Sequence, residues 1–376
     1  MQNNLAPPSR TDPSRADVPP VRPTRPLRLL LALVALLLTG CTGLAPTPGT
    51  GATPSPSPRT TTAPDTVIGA WLQAATEEGA IHAYADLTRQ DTDELDRLLA
   101  RRYPGVRVEW TRGPDRELMT RAVAERGAGG GTWDVFVGEA APALAGGDHV
   151  ASWSPPEAGA IRAELLDPRS RWYALTETYH VLEYNSELVP FAARPTSYEM
   201  LQDARFYGGL SIQDDSLTWL KGMLASRGPQ PAIDLLRPLA QQGMLTRRTP
   251  TDLSAFLAAG RNAVAVTNHL DAVERDRRTG GKVGWVAIEP VIVQPSAVVV
   301  AADAPRPNGA RLVANFLLSA DAQHALAANG RVPARVDVDP DPQGLVRGLR
   351  TYLTLPPVGQ EEQELRALHA SLWFRR

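Results

Sequence analysis

Between residues 81 and 137 two hydrophobic periods alternate, and few folds accommodate that alternation. Ile81-His82-Ala83-Tyr84 has the short apolar run of a strand. Asp91-Thr92-Asp93-Glu94 then leads into Leu95, Leu98, Leu99 and Tyr103 at helical spacing, with Arg97, Arg101 and Arg102 toward the end, which suits the helix dipole. Pro104-Gly105 stops that helix, and residues 106–110 alternate like a strand. Asp115 is expected to cap a second helix with Leu118, Met119, Ala122 and Val123 inward, ended by Gly127 and the run Gly129-Gly130-Gly131. Residues 133–137 read as a buried strand. Strand, helix, strand, helix, strand within ~60 residues is the rhythm of a parallel α/β sheet. Ligands bind such sheets beyond the carboxyl ends of the strands. The tips Tyr84-Ala85-Asp86, Gly138-Glu139 and Thr267-Asn268-His269 are therefore where a ligand is expected.

Further along, residues 172–175 and 181–185 read as two strands around Thr178-Tyr179-His180. Residues 209–213 form another, and Asp214-Asp215-Ser216 opens a helix carrying Trp219, Leu220, Met223 and Leu224. Residues 283–287 and 297–300 are strands, followed by a helix with Leu312, Val313, Phe316 and Leu317. Asn329-Gly330 closes the next one.

Ahead of this lies a different kind of sequence. Leu29 to Leu38 is a nearly pure Leu/Ala/Val run flanked by Arg25 and Arg28, too short to span comfortably at ~20 residues, so a signal h-region fits better than an uncleaved anchor. It ends in Leu38-Thr39-Gly40-Cys41, which resembles the lipobox of bacterial lipoproteins and implies cleavage before Cys41 and lipidation of its sulfur. Residues 1–40 are thus expected to be a signal peptide, 41–66 a lipid-anchored Pro/Thr/Ser-rich tether, and 67–376 the folded part. Cys41 is the only cysteine, which excludes an intramolecular disulfide and any site built from two thiolates of this chain. Without residues 1–40 the formal charge is -5, from 34 basic and 39 acidic residues, and no basic stripe remains to bind nucleic acid.

The order of the fragments carries a resemblance. AYADLTRQDTDELDRLLARRYPGVRVEW and RELMTRAVAERGAGGGTWDVFVGEA are similar to the opening of ferric-iron-type solute-binding proteins. WYALTETYHVLEYNSELVP, PTSYEMLQDARFYGGLSI and VANFLLSADAQHALAANGRVPARVDV resemble later segments of that family, so the match spans roughly 78–338. The resemblance implies an α/β, two-lobed type 2 periplasmic-binding fold with a hinged cleft. Lobe 1 is expected at about 78–175 and 290–335, lobe 2 at about 176–289, and a C-terminal helical segment at 336–376. It further implies no chemistry on the solute, which is handed to an ABC permease and ATPase; with the lipobox-like segment, an exported, lipid-anchored monomer is expected.

The sequence departs from the iron binders at one tip. Where they carry Asn followed by two tyrosines that bind ferric iron, this chain has Asn268-His269-Leu270. The residues expected to bind solute are Tyr84, Asp86, Glu139, His180, Asp215, Ser216, Asn268 and His269. Glu139 and His269, with His180 as a possible third, are the candidate metal ligands if the solute is a metal ion; otherwise these groups hydrogen-bond to an organic solute. Asp214-Asp215-Ser216 reads equally as an ordinary N-cap. Trp172, Trp219 and Trp285 are either core or a wall for an organic cation. No G-x-S-x-G, H-E-x-x-H, Walker loop or C-x-x-C occurs, so catalysis is not expected. The competing readings are a binder or sensor of an organic cation or other small solute without transport, and a lipid-anchored hydrolase.

Overall fold

The computed structural model describes residues 64–127 and 131–373. The signal-like run, Cys41, the tether as far as residue 63 and the Gly129-Gly130 pair lie outside the described residues. Among the described residues no helix is long and apolar enough to cross a membrane.

Among the described residues the first element is α1 (Pro64–Glu78), so residues 64–66, assigned to the tether from composition, are helical. It continues through β1 (Ile81–Ala85), α2 (Arg89–Arg102), β2 (Val108–Arg112), α3 (Asp115–Gly127), β3 (Val135–Gly138) and the short α4 (Ala141–Leu144). α2 is fixed by a capping box: Thr88 Oγ1 accepts from the Asp91 N–H while the Asp91 carboxylate accepts from the Thr88 N–H. β2 begins two residues later than its alternation suggests. It is a half-exposed edge strand whose register is set by parallel pairing with β1, Ile81 opposite Val108. On α3, Leu118 and Ala122 are buried, but Val123 faces solvent.

The two strands expected around Thr178 are one, β4 (Tyr173–Asn185), buried along all thirteen residues. Its partners explain this. Residues Tyr173 to Tyr179 pair with one long neighbour and, at Thr176 and Glu177, with a second short one, and His180 to Asn185 pair with two others. After it come β5 (Leu210–Gln213), α5 (Leu217–Arg227), α6 (Pro229–Ala240), β6 (Leu245–Arg247), α7 (Pro250–Ala258), β7 (Val264–His269), α8 (Leu270–Arg278), β8 (Val283–Val286) and β9 (Val291–Val300). The chain closes with α9 (Pro307–Leu317), α10 (Ala320–Ala328), β10 (Val332–Pro333), β11 (Thr351–Leu353) and α11 (Gly359–Trp373).

Strand order is β2-β1-β3-β9-β4-β7-β5-β6. β1, β2 and β3 run parallel, as do β5, β6 and β7, and the long antiparallel pair β4 and β9 joins the two sets. Two large apolar cores follow this division. The first gathers Ile81, Leu95, Phe136, Leu175, Val299 and Phe316; the second gathers Leu182, Leu210, Trp219, Leu236 and Val266. Leu365 and Leu372 belong to the second core, so α11 docks on the second lobe beside α5 and α6. A smaller third core around Val181, Leu257, Val273 and Val293 lies where β4 and β9 cross.

Candidate functional site

Parallel strands present their carboxyl ends on one side, and each lobe turns that side toward the other. From the first lobe, Asp86 follows β1, Pro114-Asp115 follows β2 and Glu139 follows β3. From the second, Asp214-Asp215-Ser216 follows β5, Arg248-Thr249 follows β6 and His269 ends β7. The crossing strands form the floor: Thr178 and Gln294 are register partners of β4 and β9, and His180 and His269 of β4 and β7. Two adjoining cavities of about 330 and 470 Å³ make up the cleft and share Asp86, Pro114, Glu139, Thr249, Pro250 and His269 as walls.

Glu139 is the most tightly held group. Thr178 Oγ1 donates to it at 2.6 Å, Gln294 Nε2 donates to its other oxygen, and His269 Nδ1 lies 3.5 Å away. Asp115 brackets the same turn. Its carboxylate accepts from the Ala140 N–H and packs on Gly138, where a Cβ would fall 1.9 Å from Oδ1. Asp86 is open to water in the cleft yet enclosed by both lobes. That enclosure, followed by the Glu139 carboxylate, pushes it up to about 6. Burial, followed by Asp86 and Glu139, holds Asp115 well above the ordinary aspartate range. Among the described residues, none of the three has an arginine or lysine within ion-pair distance.

The histidines meet edge to face with ring centroids 5.0 Å apart. Burial, then His269, keeps His180 well below the ordinary imidazole value, hence neutral. Its Nδ1 faces Thr267 Oγ1 at 3.3 Å, while its buried Nε2 has no partner among the described residues. Gln294 likewise leaves Oε1 buried and unpartnered.

Two second-lobe acids of the cleft are compensated. Asp271 accepts from Arg275 at 2.6 Å and faces Arg331 at 3.8 Å; against the effect of burial, these guanidiniums hold it below the aspartate range. Asp215 pairs with Arg116 at 2.8 Å and Arg366 at 3.6 Å; burial still raises it, and the two arginines pull it back. Arg116 also reaches Glu362 on α11, and Arg248 reaches Glu117, so the lobes are tied by ion pairs across the cleft.

The structure brings together Asp86, Glu139, His180, Asp215, Ser216 and His269 from the expected set. Two residues are corrected. Tyr84 lines neither cavity: it points toward α3, where its hydroxyl donates to Glu125 at 2.8 Å. Asn268 turns into the second lobe, donating to Glu183 at 2.6 Å and to the Pro250 carbonyl, because alternation along β7 sends it opposite to His269. Ser216 reaches the cleft wall, but its hydroxyl is shared with His369 at 3.2 Å. The tryptophans do not wall the cleft. Trp172 and Trp219 are core, and Trp285 donates to Glu274. The sequence reading missed Asp115, taken for a helix cap, and Gln294. The latter had a signal, since it is a lone amide directly after the apolar run Val291-Ile292-Val293. Among the described residues, no group of three or more His, Cys, Asp and Glu is placed to hold a metal ion.

A family model described as bacterial extracellular solute-binding protein matches residues 148–349. The substrate binding protein of an ABC transporter from Agrobacterium tumefaciens superposes with a TM-score of 0.71 at 15% identity, covering 80% of this chain and 97% of that one. The periplasmic binding protein AfuA from Actinobacillus pleuropneumoniae, with fructose-6-phosphate bound, gives 0.67 at 14% identity over 79% of this chain and 99% of its own. Iron-bound HitA from Pseudomonas aeruginosa gives 0.65 at 19% identity over 79% and 98%. At such identities the likeness is one of fold, the two-lobed periplasmic-binding architecture.

Proposed function

This chain belongs to the family of bacterial extracellular solute-binding proteins and acts as the solute-capturing component of an ABC importer; we propose that the solute it captures is a small cation. The fold leaves the sign of the charge open, since HitA is iron-bound and AfuA holds a sugar phosphate. The residues of this cleft must decide it. Asp86, Asp115 and Glu139 crowd the first-lobe wall with no lysine or arginine within ion-pair distance; of the arginines lining the cleft, Arg116, Arg248, Arg275, Arg331 and Arg366 are each committed to another carboxylate, and Arg112 lines the smaller cavity without an ion pair to any of the three. An anion entering there meets excess negative charge, and a cation relieves it. That uncompensated trio is the observation that carries the reading.

The test is calorimetry and thermal shift with cationic and anionic solutes. A cation should raise the melting temperature by mass action, and Glu139→Gln should weaken its binding. Binding of anions alone would sink the proposal. A metal ion is a specific version of it: His269 Nδ1 and Glu139 Oε1, 3.5 Å apart, would be its ligands, a pair that suits Zn(II) or Cu(II) better than Fe(III), although among the described residues no group of three or more such side chains is placed to hold one.

The proposal extends to the address. The lipobox-like Leu38-Thr39-Gly40-Cys41 supports removal of residues 1–40 and lipidation of Cys41, leaving a monomer tethered beside the permease. Cys41→Ser should release the protein from the membrane fraction into the medium or the periplasm.

A further inference from the structure

The kind of cation is legible from what lines the cavity and from what is left unsatisfied there. We infer that the solute is an aliphatic organic cation bearing N–H donors, a primary ammonium or guanidinium, bound through Asp86, Glu139, Gln294 and His180. This rests on the cation reading above and narrows it.

Three observations carry it. The first is size. Adjoining cavities of about 330 and 470 Å³ are on the scale of an organic molecule, and the nearby carboxylates and imidazoles do not converge as a metal cage. The second is wall chemistry. Quaternary ammonium groups are recognised by aromatic faces, yet no Trp, Tyr or Phe lines either cavity; the apolar walls are Leu87, Ala140, Leu217 and prolines. A cation recognised here is held by hydrogen bonds to oxygen and nitrogen. The third is supply. Gln294 is 3% exposed and lines the larger cavity; its Nε2 is spent on Glu139, so its unpartnered Oε1 is an acceptor awaiting a donor. His180, 5% exposed and lining the same cavity, has Nε2 unpartnered. Buried polar atoms are rarely left so in a finished structure. Among the described residues no group of three or more His, Cys, Asp and Glu is placed to hold a metal ion, whereas an ammonium with three donors or a guanidinium with five can donate to Gln294 Oε1 and the carboxylates together.

The test uses the folded chain with four probes: agmatine, spermidine, the bis(trimethylammonium) analogue of 1,4-diaminobutane, and Zn(II). Expected is binding of agmatine or spermidine with a rise in melting temperature, at least 50-fold weaker binding of the quaternary analogue, and about tenfold weaker amine binding by Gln294→Met, whose own melting temperature is not lowered. Asp86→Asn, at a water-exposed position, should weaken amine binding about 30-fold. Equal binding of the quaternary analogue, or unaltered amine binding by both variants, overturns the inference. Zn(II) binding with neither amine bound also overturns it while leaving the cation reading intact. No cation bound while anions bind removes that reading itself.

Discussion

Asp86 and Asp271 line the same cavity and differ in almost everything else. Asp271, on the second-lobe wall, is held below the ordinary aspartate range because Arg275 and Arg331 outweigh its burial. Asp86, on the first-lobe wall, is pushed up to about 6 because enclosure and Glu139 outweigh Arg331. One carboxylate is a finished structural element and the other is waiting for positive charge. A count of acids along the chain cannot separate the two; pairing across the fold does.

Breaking that contrast should produce the largest effect. Glu139→Gln keeps the contact to Thr178 but removes charge from the uncompensated wall, so cation affinity should fall about 100-fold, roughly 2.7 kcal/mol, with little change in melting temperature. Asp271→Asn should do the reverse. Arg275 loses its partner and stability falls by about 1–3 kcal/mol, while affinity changes only a few-fold. Calorimetry and thermal denaturation of both variants check the pair together. If Asp271→Asn cost more affinity than Glu139→Gln, the distinction between the walls would be wrong.

Glu183 sharpens the comparison from behind the site. It is buried in the second lobe with no cation, only Ser254 and Asn268 donating to it at 2.6 Å. Burial wins over those bonds and pushes it up to about 7 from an ordinary 4.5. Between these values the native state keeps a proton that the unfolded chain has released, so this group lowers stability as pH rises from about 4.5 to 7. Glu183→Gln removes the penalty, worth roughly 3 kcal/mol at most. The Gln variant should melt higher than the parent at pH 8, with the gap closing by pH 5. A gap independent of pH would mean that the carboxyl is not neutral in the folded protein.

Much of the architecture was legible because hydrophobic period reports burial directly. β1, α2, β3 and β7 emerge from their own residues, and the resemblance ordered them into two lobes. β4 was read as two strands because Thr176, Glu177, Thr178 and His180 interrupt its apolar pattern. Thr178 and His180 serve the site and Glu177 pairs with Arg162, and partners supplied by distant β7 and β9 keep the strand whole. The same reason hides part of the site. Asp86, Glu139 and His269 stand at strand tips, where topology alone makes them suspects. Asp115 looks like any helix-opening aspartate until the fold lays it on Gly138 and Ala140, and the face that Tyr84 and Asn268 turn to depends on pairing that no local pattern states.

Asp115 gives a smaller effect than Glu139, because it acts by holding the turn. Gly138→Ala places a methyl 1.9 Å from Asp115 Oδ1 and must displace the carboxylate from the Ala140 N–H. Affinity should fall about tenfold, whereas Asp115→Asn in the glycine parent, which loses charge but can still accept from Ala140, should cost only a few-fold. Equal loss for Asp115→Asn and Asp115→Ala would show that charge, not the bond to Ala140, is what matters there.

The smallest effect belongs to the residue whose expected role the fold removed. Tyr84 sits at the end of β1, two residues before Asp86, yet its hydroxyl points away from the cleft and donates to Glu125, which also accepts from Arg121 at 2.7 Å and from Thr132. Tyr84→Phe removes one donor from a carboxylate that keeps two others. The expected cost is below about 1.5 kcal/mol in stability and less than twofold in cation affinity. Titration of the variant against the same cation checks this. A tenfold loss of affinity would place the phenol in the cleft when solute is bound, through a rotation of the β1 tip, and would put Tyr84 back beside Asp86 among the solute-binding residues.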